Sequence, residues 1–536
     1  MVGPLPRSHH RGAHPVPQRK GGDGLPVQHL SLTSSWFPMK NIFDIPWIGP
    51  LARTVWPWRL IRLTLLVILL VMAAYGWHHH AIPGVAVPDP LMYTNIANYF
   101  LWVLWIMGVV FLALLMGRIW CSVCPLGWLN GVVARFGRQR EIPRPLRNFI
   151  PVTLTLVALQ LAVYLLAIHR FPDYTAVLIA LMLLGTITCG LLFRQRAFCS
   201  LLCPAGAVFG LYARVAPWQL RVKDADICAA CSDKPCVSGD SHWKQLSLGP
   251  ALLSLHCRRP DCPVDLVPAE ISDSATCSLC LHCAHNCDKE NILLGRRPWL
   301  ADLRGAALSP SETFFFVVLL GMVTTNFAKV FVELREAIFW LPQQAALLLG
   351  WAAPGFYLLA GLWVTLAFPL LLLLPAYLVL RLGELRTTVT AGSDLPLAPP
   401  APPAPPPGFW RQLGELSLPL IPLLLAAHVV LAVVKLNAKI GYLPYVLQDP
   451  TGVKSYLAMN VMTTVTPPGV LIPLDLLKWL VLALLVGGFF LALLAARRVT
   501  PAFTRQSRTF VAAATTAALT MTLLYGATVI RWLFIR

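Results

Sequence analysis

Long apolar runs dominate the sequence, and most are long enough to cross a membrane as a helix. A spanning helix needs roughly 20 predominantly apolar residues. Eight or nine runs meet this requirement, at about 60–77, 97–116, 150–168, 174–193, 312–330, 355–380, 415–434, 470–495 and 510–530. The pattern predicts an all-α polytopic membrane protein with eight or nine spans.

The composition excludes a soluble globular chain. Of 536 residues, 57% are hydrophobic and 12% are charged, whereas soluble domains carry about 25% charged residues. The mean hydropathy is +0.66. The formal net charge of +19 gives a basic surface that attracts anionic lipid headgroups and acidic proteins. We expect no nucleic-acid partner.

The short loops differ in basic residues, and this difference predicts the orientation. The 135–147 loop carries five arginines, whereas the 78–96 loop has neither Lys nor Arg. Basic loops remain in the cytoplasm. The N-terminus, the 135–147 loop and the 194–311 insert are therefore predicted to be cytoplasmic. Three lysines in the 435–469 loop oppose this count: Lys435, Lys439 and Lys454.

The segments between the apolar runs predict the domain organisation. Residues 1–57 are expected to be a disordered basic tail without a cleavable signal peptide, and Met39 is an alternative start. The remaining predicted units are a four-span membrane unit at 58–210, a cytoplasmic insert at 211–311, a two-span unit at 312–386, a Pro-rich linker at 387–412 and a C-terminal membrane unit at 413–536.

An internal repeat occurs in the four-span unit. Residues 118–127 read R-I-W-C-S-V-C-P-L-G, and residues 196–206 read R-A-F-C-S-L-L-C-P-A-G, each directly after a span. We call these two Cys-Cys-Pro motifs the elbows. Repeated elements at matching topological positions pack about a pseudo-symmetry axis, so four thiols are predicted to converge. These thiols, the elbow group, are Cys121, Cys124, Cys199 and Cys203.

The chemistry of the elbow group has several candidates at the sequence level. Four thiols could hold a third cluster or another soft metal, or they could cycle as redox-active dithiols. They could also be structural thiols at helix ends, since Pro125 and Pro204 interrupt the spans. A metal or redox role is the interpretation that we carry forward.

The insert contains nine cysteines within 228–287, and four of them form a ferredoxin motif. Residues 277–287 read C-S-L-C-L-H-C-A-H-N-C, the C-x2-C-x2-C-x3-C run of bacterial ferredoxins. In two-cluster ferredoxins three thiolates of this run bind one cubane, and the fourth binds the other cluster. Asp288 replaces the usual proline after the last cysteine.

A partner set of cysteines is required by this crossed arrangement. Residues 228–236 supply three thiols, and Cys262-Pro263 supplies a Cys-Pro step. We therefore predict two [4Fe–4S] clusters. Group A comprises Cys228, Cys231, Cys236 and Cys287, and group B comprises Cys262, Cys277, Cys280 and Cys283. Cys257 is the alternative to Cys262.

Two other interpretations of these cysteines are weaker. A disulfide framework conflicts with the reducing cytoplasm. Zinc sites also use C-x2-C pairs, but zinc explains neither the four-cysteine run nor the count of nine cysteines. Iron–sulfur clusters remain the favoured cofactors.

Residues 60–300 resemble membrane-bound polyferredoxins. This superfamily includes the quinol-oxidising subunit of periplasmic nitrate reductase, the regulator–maturation protein of nitrous oxide reductase and the cytochrome oxidase accessory iron–sulfur protein. The resemblance rests on both elbows and on the ferredoxin cysteines. The first elbow has two residues between its cysteines, where the family usually has three. The resemblance implies a multi-pass protein of the bacterial cytoplasmic (inner) membrane that passes electrons to or from a reductase.

Together these features predict an iron–sulfur electron-transfer protein, acting as a component or subunit of an oxidoreductase. The expected partners are an acidic soluble redox protein of ferredoxin or flavodoxin type, a membrane oxidoreductase, and quinone. The alternative is a redox maturation or metal-handling factor for the assembly of another respiratory complex. A transporter in residues 312–536 is the third hypothesis, and it is weak because few charges are buried there.

Overall fold

The long helices of the structure lie where the apolar runs predict them. The computed structural model describes residues 41–536 except 195, 249–250, 260, 331, 352, 392–407, 503, 505–506 and 535–536. Within these residues, seven helices are long and apolar enough to cross a membrane. They are Val55–Gly76, Ile96–Met116, Pro172–Leu192, Gly355–Arg386, Phe409–Gln448, Leu474–Arg498 and Ser507–Leu533.

Two further predicted spans also coincide with helices. The 150–168 run forms the 16-residue helix Ile150–Leu165, which is shorter than a usual span. The 312–330 run lies in the 21-residue helix Pro310–Val330. Each of the nine apolar runs thus overlaps a helix, and the predominantly helical membrane architecture is confirmed.

The N-terminal boundary differs from the predicted disordered tail. The part of that tail at residues 1–40 lies outside the described residues. Residues Ile42–Asp44 and Ile48–Arg53 form short helices, and the first spanning helix starts at Val55. Phe43 is buried in the core of the insert, and the Asn41 side chain accepts a hydrogen bond from Leu294 N at 3.1 Å. Burial of this apolar ring explains why the segment is folded.

One end of the helical bundle carries the loops predicted to be cytoplasmic. The backbone N–H of Arg138 donates to Leu191 O at 2.7 Å, which joins the 135–147 loop to the end of helix Pro172–Leu192. Arg498 donates to Trp299 O at 2.9 Å and so links the end of Leu474–Arg498 to the insert.

The opposite end gathers the remaining loops. The Asn95 amide donates to Thr451 O at 3.0 Å, so the 435–469 loop packs on the loop that lacks basic residues. Lys439 lies there, with its Nζ 3.7 Å from the ring centroid of Tyr93. This cation–π contact gives one of the opposing lysines a local partner.

The insert is built on a small antiparallel β-pair. Strand β1 (Trp218–Val222) pairs with β4 (Ile292–Arg296), with Leu220 opposite Leu294. Between them, β2 (Asp240–Leu248) and β3 (Ala251–Arg259) form a hairpin. Buried apolar side chains from β1, β4 and the ferredoxin loop form one core with Phe43. The loops that carry the cysteines surround this core.

A buried ion-pair cluster fastens the insert to the membrane unit. Arg214 is 3% exposed and binds Asp273 and Glu312, each at 2.7 Å. Glu312 lies in the first turn of Pro310–Val330, while Asp273 immediately precedes the ferredoxin loop. Burial opposes the charge of Arg214, but both carboxylates raise the pKa of its guanidinium. The cluster therefore holds the ferredoxin loop against the membrane helices.

The C-terminal helices are continuous with the rest of the core. One hydrophobic cluster contains Met107 and Phe209 from the four-span unit together with Leu424 and Val529 from the C-terminal unit. Most of the predicted Pro-rich linker, at 392–407, lies outside the described residues. The C-terminal unit therefore packs directly on the helices that carry the elbows.

Candidate iron–sulfur sites

The ferredoxin loop has the tight backbone that closely spaced cysteines need. Leu279 and Leu281 adopt positive φ angles of 48° and 63°, which turn the chain on either side of Cys280. The N–H of Leu279 donates to the Sγ of Cys277 at 3.4 Å. A short helix, His282–Asn286, then carries the chain to Cys287. Such strained, non-glycine turns persist where their surroundings hold them.

All four group B thiols line one cavity. Its volume is about 320 Å³, part of it open to solvent, and its other walls are mainly apolar. The buried hydroxyl of Ser278, which also lines it, has no hydrogen-bond partner among the described residues. Four thiols and an unsatisfied polar group around an apolar cavity fit a cubane cluster, whose sulfides accept hydrogen bonds.

Burial and mutual proximity shift the pKa values of group B. Burial, together with the charge of the neighbouring Cys280, raises the pKa of Cys262 to about 12 and that of Cys277 to about 11. Burial opposes ionisation of Cys280 too, but the charge and hydrogen bond of His282 lower its pKa to about 6. Cys280 is therefore the thiol of group B that ionises most readily. The other thiols of the group need a bound cation in order to ionise.

Group A forms around the end of the ferredoxin run. Burial, together with the negative charges of Cys287, Cys228 and Cys231, raises the pKa of Cys236 to about 11. The Asn291 amide donates to the Sγ of Cys228 at 3.2 Å. Cys287 therefore lies with the cysteines of 228–236, although it follows Cys283 closely in sequence.

The geometry of group B does not test whether the thiol of Cys257, the alternative ligand, lies near the cavity. Its side chain lies outside the described residues, while its backbone pairs with His242 in the β2–β3 hairpin. Cys262 lines the group B cavity. The choice between them stays a prediction.

The two elbows place their second cysteines at equivalent positions. Cys124 precedes the first elbow helix, Pro125–Val133, and Cys203 precedes the second elbow helix, Pro204–Ala213. Both helices begin with proline, whose missing N–H costs nothing at a helix start. Burial raises the pKa of both thiols, whereas the N–H groups of Gly127 and Gly206 hydrogen-bond to Cys124 and Cys203 respectively and lower it.

The structure brings all four elbow thiols together. Burial raises the pKa of Cys199 well above its ordinary value, and the charges of Cys203, Cys124 and Cys121 add to this effect. A Cβ on Gly127 would lie only 3.3 Å from the Sγ of Cys199, so this glycine lets the two elbows approach. The remaining cysteine, Cys189, is buried inside the helix Pro172–Leu192.

Two arginines at equivalent repeat positions lie between the elbows and group B. Arg118 and Arg196 each precede the first cysteine of their elbow by three residues. The positive charge of Arg118 lowers the pKa of both Cys203 and Cys277, and the charge of Arg196 lowers that of Cys280. Arg118 also donates to the backbone of Ala275, next to the ferredoxin loop.

Our sequence analysis missed these arginines as part of the site. Their signal was present, because both repeats begin with arginine in the same register. Their charge offsets the negative charge that ionised thiols or anionic clusters would place on either side.

Neighbouring thiols also connect the two groups of the insert. The charge of Cys236 in group A contributes to the raised pKa of Cys283 in group B, after burial and the three other group B thiols. Group A therefore adjoins group B, and group B adjoins the elbow group. Within the described part of the chain, no three His, Cys, Asp or Glu side chains stand where a single metal ion could be held.

Comparison with known families supports iron–sulfur binding. Residues 99–143 and 175–223 match a family described as "4Fe-4S binding domain". The matched stretches contain all four elbow cysteines and end before the first cysteine of group A. The similarity therefore falls on the repeat rather than on the ferredoxin motif.

A curated relative also matches part of the chain. It is YccM of Escherichia coli (strain K12), named as a candidate electron transport protein, which is 30% identical over 152 residues. The match covers 24% of this chain and 42% of the relative. The chain thus matches less than half of that relative's length. No solved structure matches significantly.

Proposed function

We propose that this protein is a membrane-bound iron–sulfur relay that carries electrons between a soluble partner and a membrane partner or quinone. The observation that supports this most directly is the cavity lined by all four group B thiols. When bound, [4Fe–4S] clusters supply one-electron steps. The residues of groups A and B would hold two such clusters, and the elbow group would hold a third or another soft metal.

The order of the thiol groups supports a directional path through the protein. Group A lies on the outer part of the insert, where Cys231 and Cys287 are partly exposed. Group B is more buried, and the elbow group lies at the ends of the membrane helices. A partner in solution would therefore exchange electrons at group A, and a membrane partner would do so near the elbows.

The surface near group A refines the predicted acidic partner. Five exposed carboxylates and three lysines lie close in sequence to its cysteines. The carboxylates are Asp224, Asp226, Asp233, Asp288 and Glu290, and the lysines are Lys223, Lys234 and Lys289. Despite the net charge of +19, this patch is mixed. We propose that a ferredoxin- or flavodoxin-type partner makes oriented charge pairs there instead of binding a uniformly basic face.

Anaerobic redox titration tests the relay. The protein is purified without oxygen, inserted into nanodiscs and reduced in steps by reduced ferredoxin or flavodoxin, with a quinone analogue then added. We expect EPR signals of reduced clusters that disappear when the quinone analogue is added. Zinc in place of iron, or clusters that the analogue never reoxidises, would argue against the quinone relay.

A redox maturation or metal-handling role is the second candidate. It is favoured by the elbow group, because four thiols gather at the ends of the membrane helices, burial raises the pKa of Cys199 and Cys203, and thiol sulfur suits a soft cation. A cuprous ion chelated by the purified protein, lost on Cys124→Ser with groups A and B intact, would support this candidate. The resemblance to accessory proteins of respiratory complexes supports it as well.

A further inference from the structure

A second large cavity lies where the first spanning helix meets the insert. It encloses about 790 Å³, including space open to solvent. Its walls come from helix Val55–Gly76, the first elbow helix, the loop after it and the insert. Among the residues that the structure describes, no cysteine lines this cavity, so neither the relay nor the elbow group accounts for it.

The charged side chains that line this cavity are mostly positive. Four arginines and one carboxylate, Asp261, line it, together with two histidines. The arginines are Arg59, Arg62, Arg135 and Arg196. Each histidine forms a hydrogen bond between a ring nitrogen and a backbone carbonyl oxygen. His282 pairs with Asp261 O and His285 with Ala52 O, each at 3.0 Å. Arg62 is buried, and a buried guanidinium group is costly without a counter-charge, so a bound anion would stabilise it.

One of these arginines has unused hydrogen-bonding capacity. Arg62 is 4% exposed, and its Nε donates to Ser122 O at 2.7 Å. Its Nη2 is buried and has no hydrogen-bond partner among the described residues. A buried donor without a partner costs free energy, and this one belongs to a side chain that lines the cavity.

The surroundings place the cavity at the depth of lipid headgroups. Trp56 and Leu60, on the same helix as Arg59 and Arg62, are 72% and 58% exposed. Tryptophan is enriched at membrane interfaces. Most of this helix is not packed against the rest of the protein, since only 17% of its most apolar 18-residue stretch is buried. The arginines thus stand at the end of a lipid-facing helix.

We propose that this cavity binds a phosphate group, supplied either by an anionic phospholipid headgroup or by a soluble phosphate compound. Arginine pairs with phosphate through two parallel hydrogen bonds, a geometry that lysine lacks. Arg62 and Arg59 are the principal donors, and Trp128 and Pro263 form apolar walls around the group.

Lipid retention and phosphate binding test this proposal. Anaerobically purified protein is released from nanodiscs of phosphatidylcholine and phosphatidylglycerol, and retained lipid is counted by native mass spectrometry. Inorganic phosphate is titrated separately by its effect on thermal unfolding. Arg59→Gln is the main variant, because Arg59 is partly exposed and we expect its substitution to disturb the fold less than that of the buried Arg62. Arg144→Gln, in the exposed 143–147 loop outside the cavity, removes the same charge as a control.

The variants separate the outcomes. We expect wild type to retain phosphatidylglycerol selectively, with an affinity that falls about tenfold in Arg59→Gln and is unchanged in Arg144→Gln. Saturable stabilisation by inorganic phosphate, lost in the same variant, would identify the soluble source. Equal effects of both substitutions, or none from Arg59→Gln and Arg62→Gln together, would overturn the site and leave only general attraction of a basic surface to anionic lipid.

Discussion

The hydroxyl of Tyr212 lies 3.0 Å from the Nδ1 atom of His428. Tyr212 belongs to the second elbow helix and is fully buried, while His428 lies in the helix Ile421–Lys439 of the C-terminal unit. The hydrogen bond therefore joins the helix that follows Cys203 to the C-terminal unit, for which the sequence suggested only a weak transporter hypothesis. Polar groups inside a membrane protein are energetically costly, so we expect this pair to have a structural or functional role.

Loss of this hydroxyl should weaken the contact between the two units. Tyr212→Phe leaves the ring in place but removes the partner of a partly buried imidazole, so we expect a loss of about 1–3 kcal/mol in the free energy of unfolding. Tyr174→Phe, at a ring that is 38% exposed, is the matched control. Denaturation in detergent measures both, and equal stability of the two variants would show that the Tyr212 hydrogen bond contributes nothing.

Metal analysis tests the number of clusters. Two cubanes require about eight iron and eight sulfide per chain, and a third at the elbows raises each to about twelve. If the wild type contains about twelve iron per chain, the double variant Cys124→Ser/Cys203→Ser should lose about four of them. If it contains about eight, the same variant should lose none. Cys189→Ser, at a buried cysteine within a spanning helix, should change neither count.

Much of the architecture could be predicted because it depends on local patterns in the sequence. Apolar runs of spanning length located the helices. The ferredoxin spacing predicted that Cys287 lies near Cys236, and the charge of Cys287 acts on Cys236 in the structure, while the assignment of the cysteines to two clusters stays a prediction. These features depend on residues close in sequence or on a motif with known geometry.

Other features depend on contacts between distant residues and could not be predicted. Phe43 is buried against strands that begin 175 or more positions later, so a basic, Pro-rich N-terminal stretch gave no sign of order. The arginine-lined cavity assembles Arg62 with His285 across the insert. Arg62 stands out as a charged residue within an apolar run, but only the three-dimensional structure shows that it meets His285, because the two lie more than 200 positions apart.

The Arg214 cluster should dominate the docking of the insert. Arg214→Met leaves Asp273 and Glu312 buried without a counter-charge, so we expect destabilisation by about 3–5 kcal/mol and release of the insert. Limited proteolysis between 211 and 311 and thermal unfolding would measure these effects.

A surface ion pair of the same length provides the control for that substitution. Arg147 binds Glu141 at 2.7 Å, but both side chains are exposed. Arg147→Met should therefore leave the free energy of unfolding almost unchanged. If Arg214→Met were as mild as this control, the buried cluster would not be what holds the insert in place.

Reporter fusions test the predicted orientation. Fusions at positions 140 and 240 should report the cytoplasm, and a fusion at 88 should report the opposite side, because the arginine-rich loop resists translocation. The structure places the 135–147 loop and the insert at one end of the bundle, so both fusions should agree. An external signal at 240 would remove the argument against disulfides in the insert.

Cysteine substitutions test the crossed arrangement of ligands. Cys287→Ser should damage the cluster of group A, because Cys287 lies with Cys236 and Cys228 although its sequence neighbours belong to group B. Cys262→Ser should damage the cluster of group B, whose cavity it lines. EPR of the reduced protein distinguishes the two signals, and iron analysis gives the loss, expected to be about four per chain for each substitution.

The pattern of losses decides between specific alternatives. If Cys257→Ser removes the group B signal and Cys262→Ser does not, the fourth ligand is Cys257, and the two-cluster arrangement still stands. If Cys287→Ser removes only the signal of group B, the run 277–287 binds a single cluster with all four of its cysteines, and the crossing is wrong. Cys189→Ser should preserve both signals, because Cys189 belongs to a hydrophobic cluster that contains the elbow cysteines Cys124 and Cys203 but no described cysteine of group A or group B. Loss of a signal in that control would mean that cysteine substitution perturbs the fold generally, and the assignments would then need stability measurements on each variant.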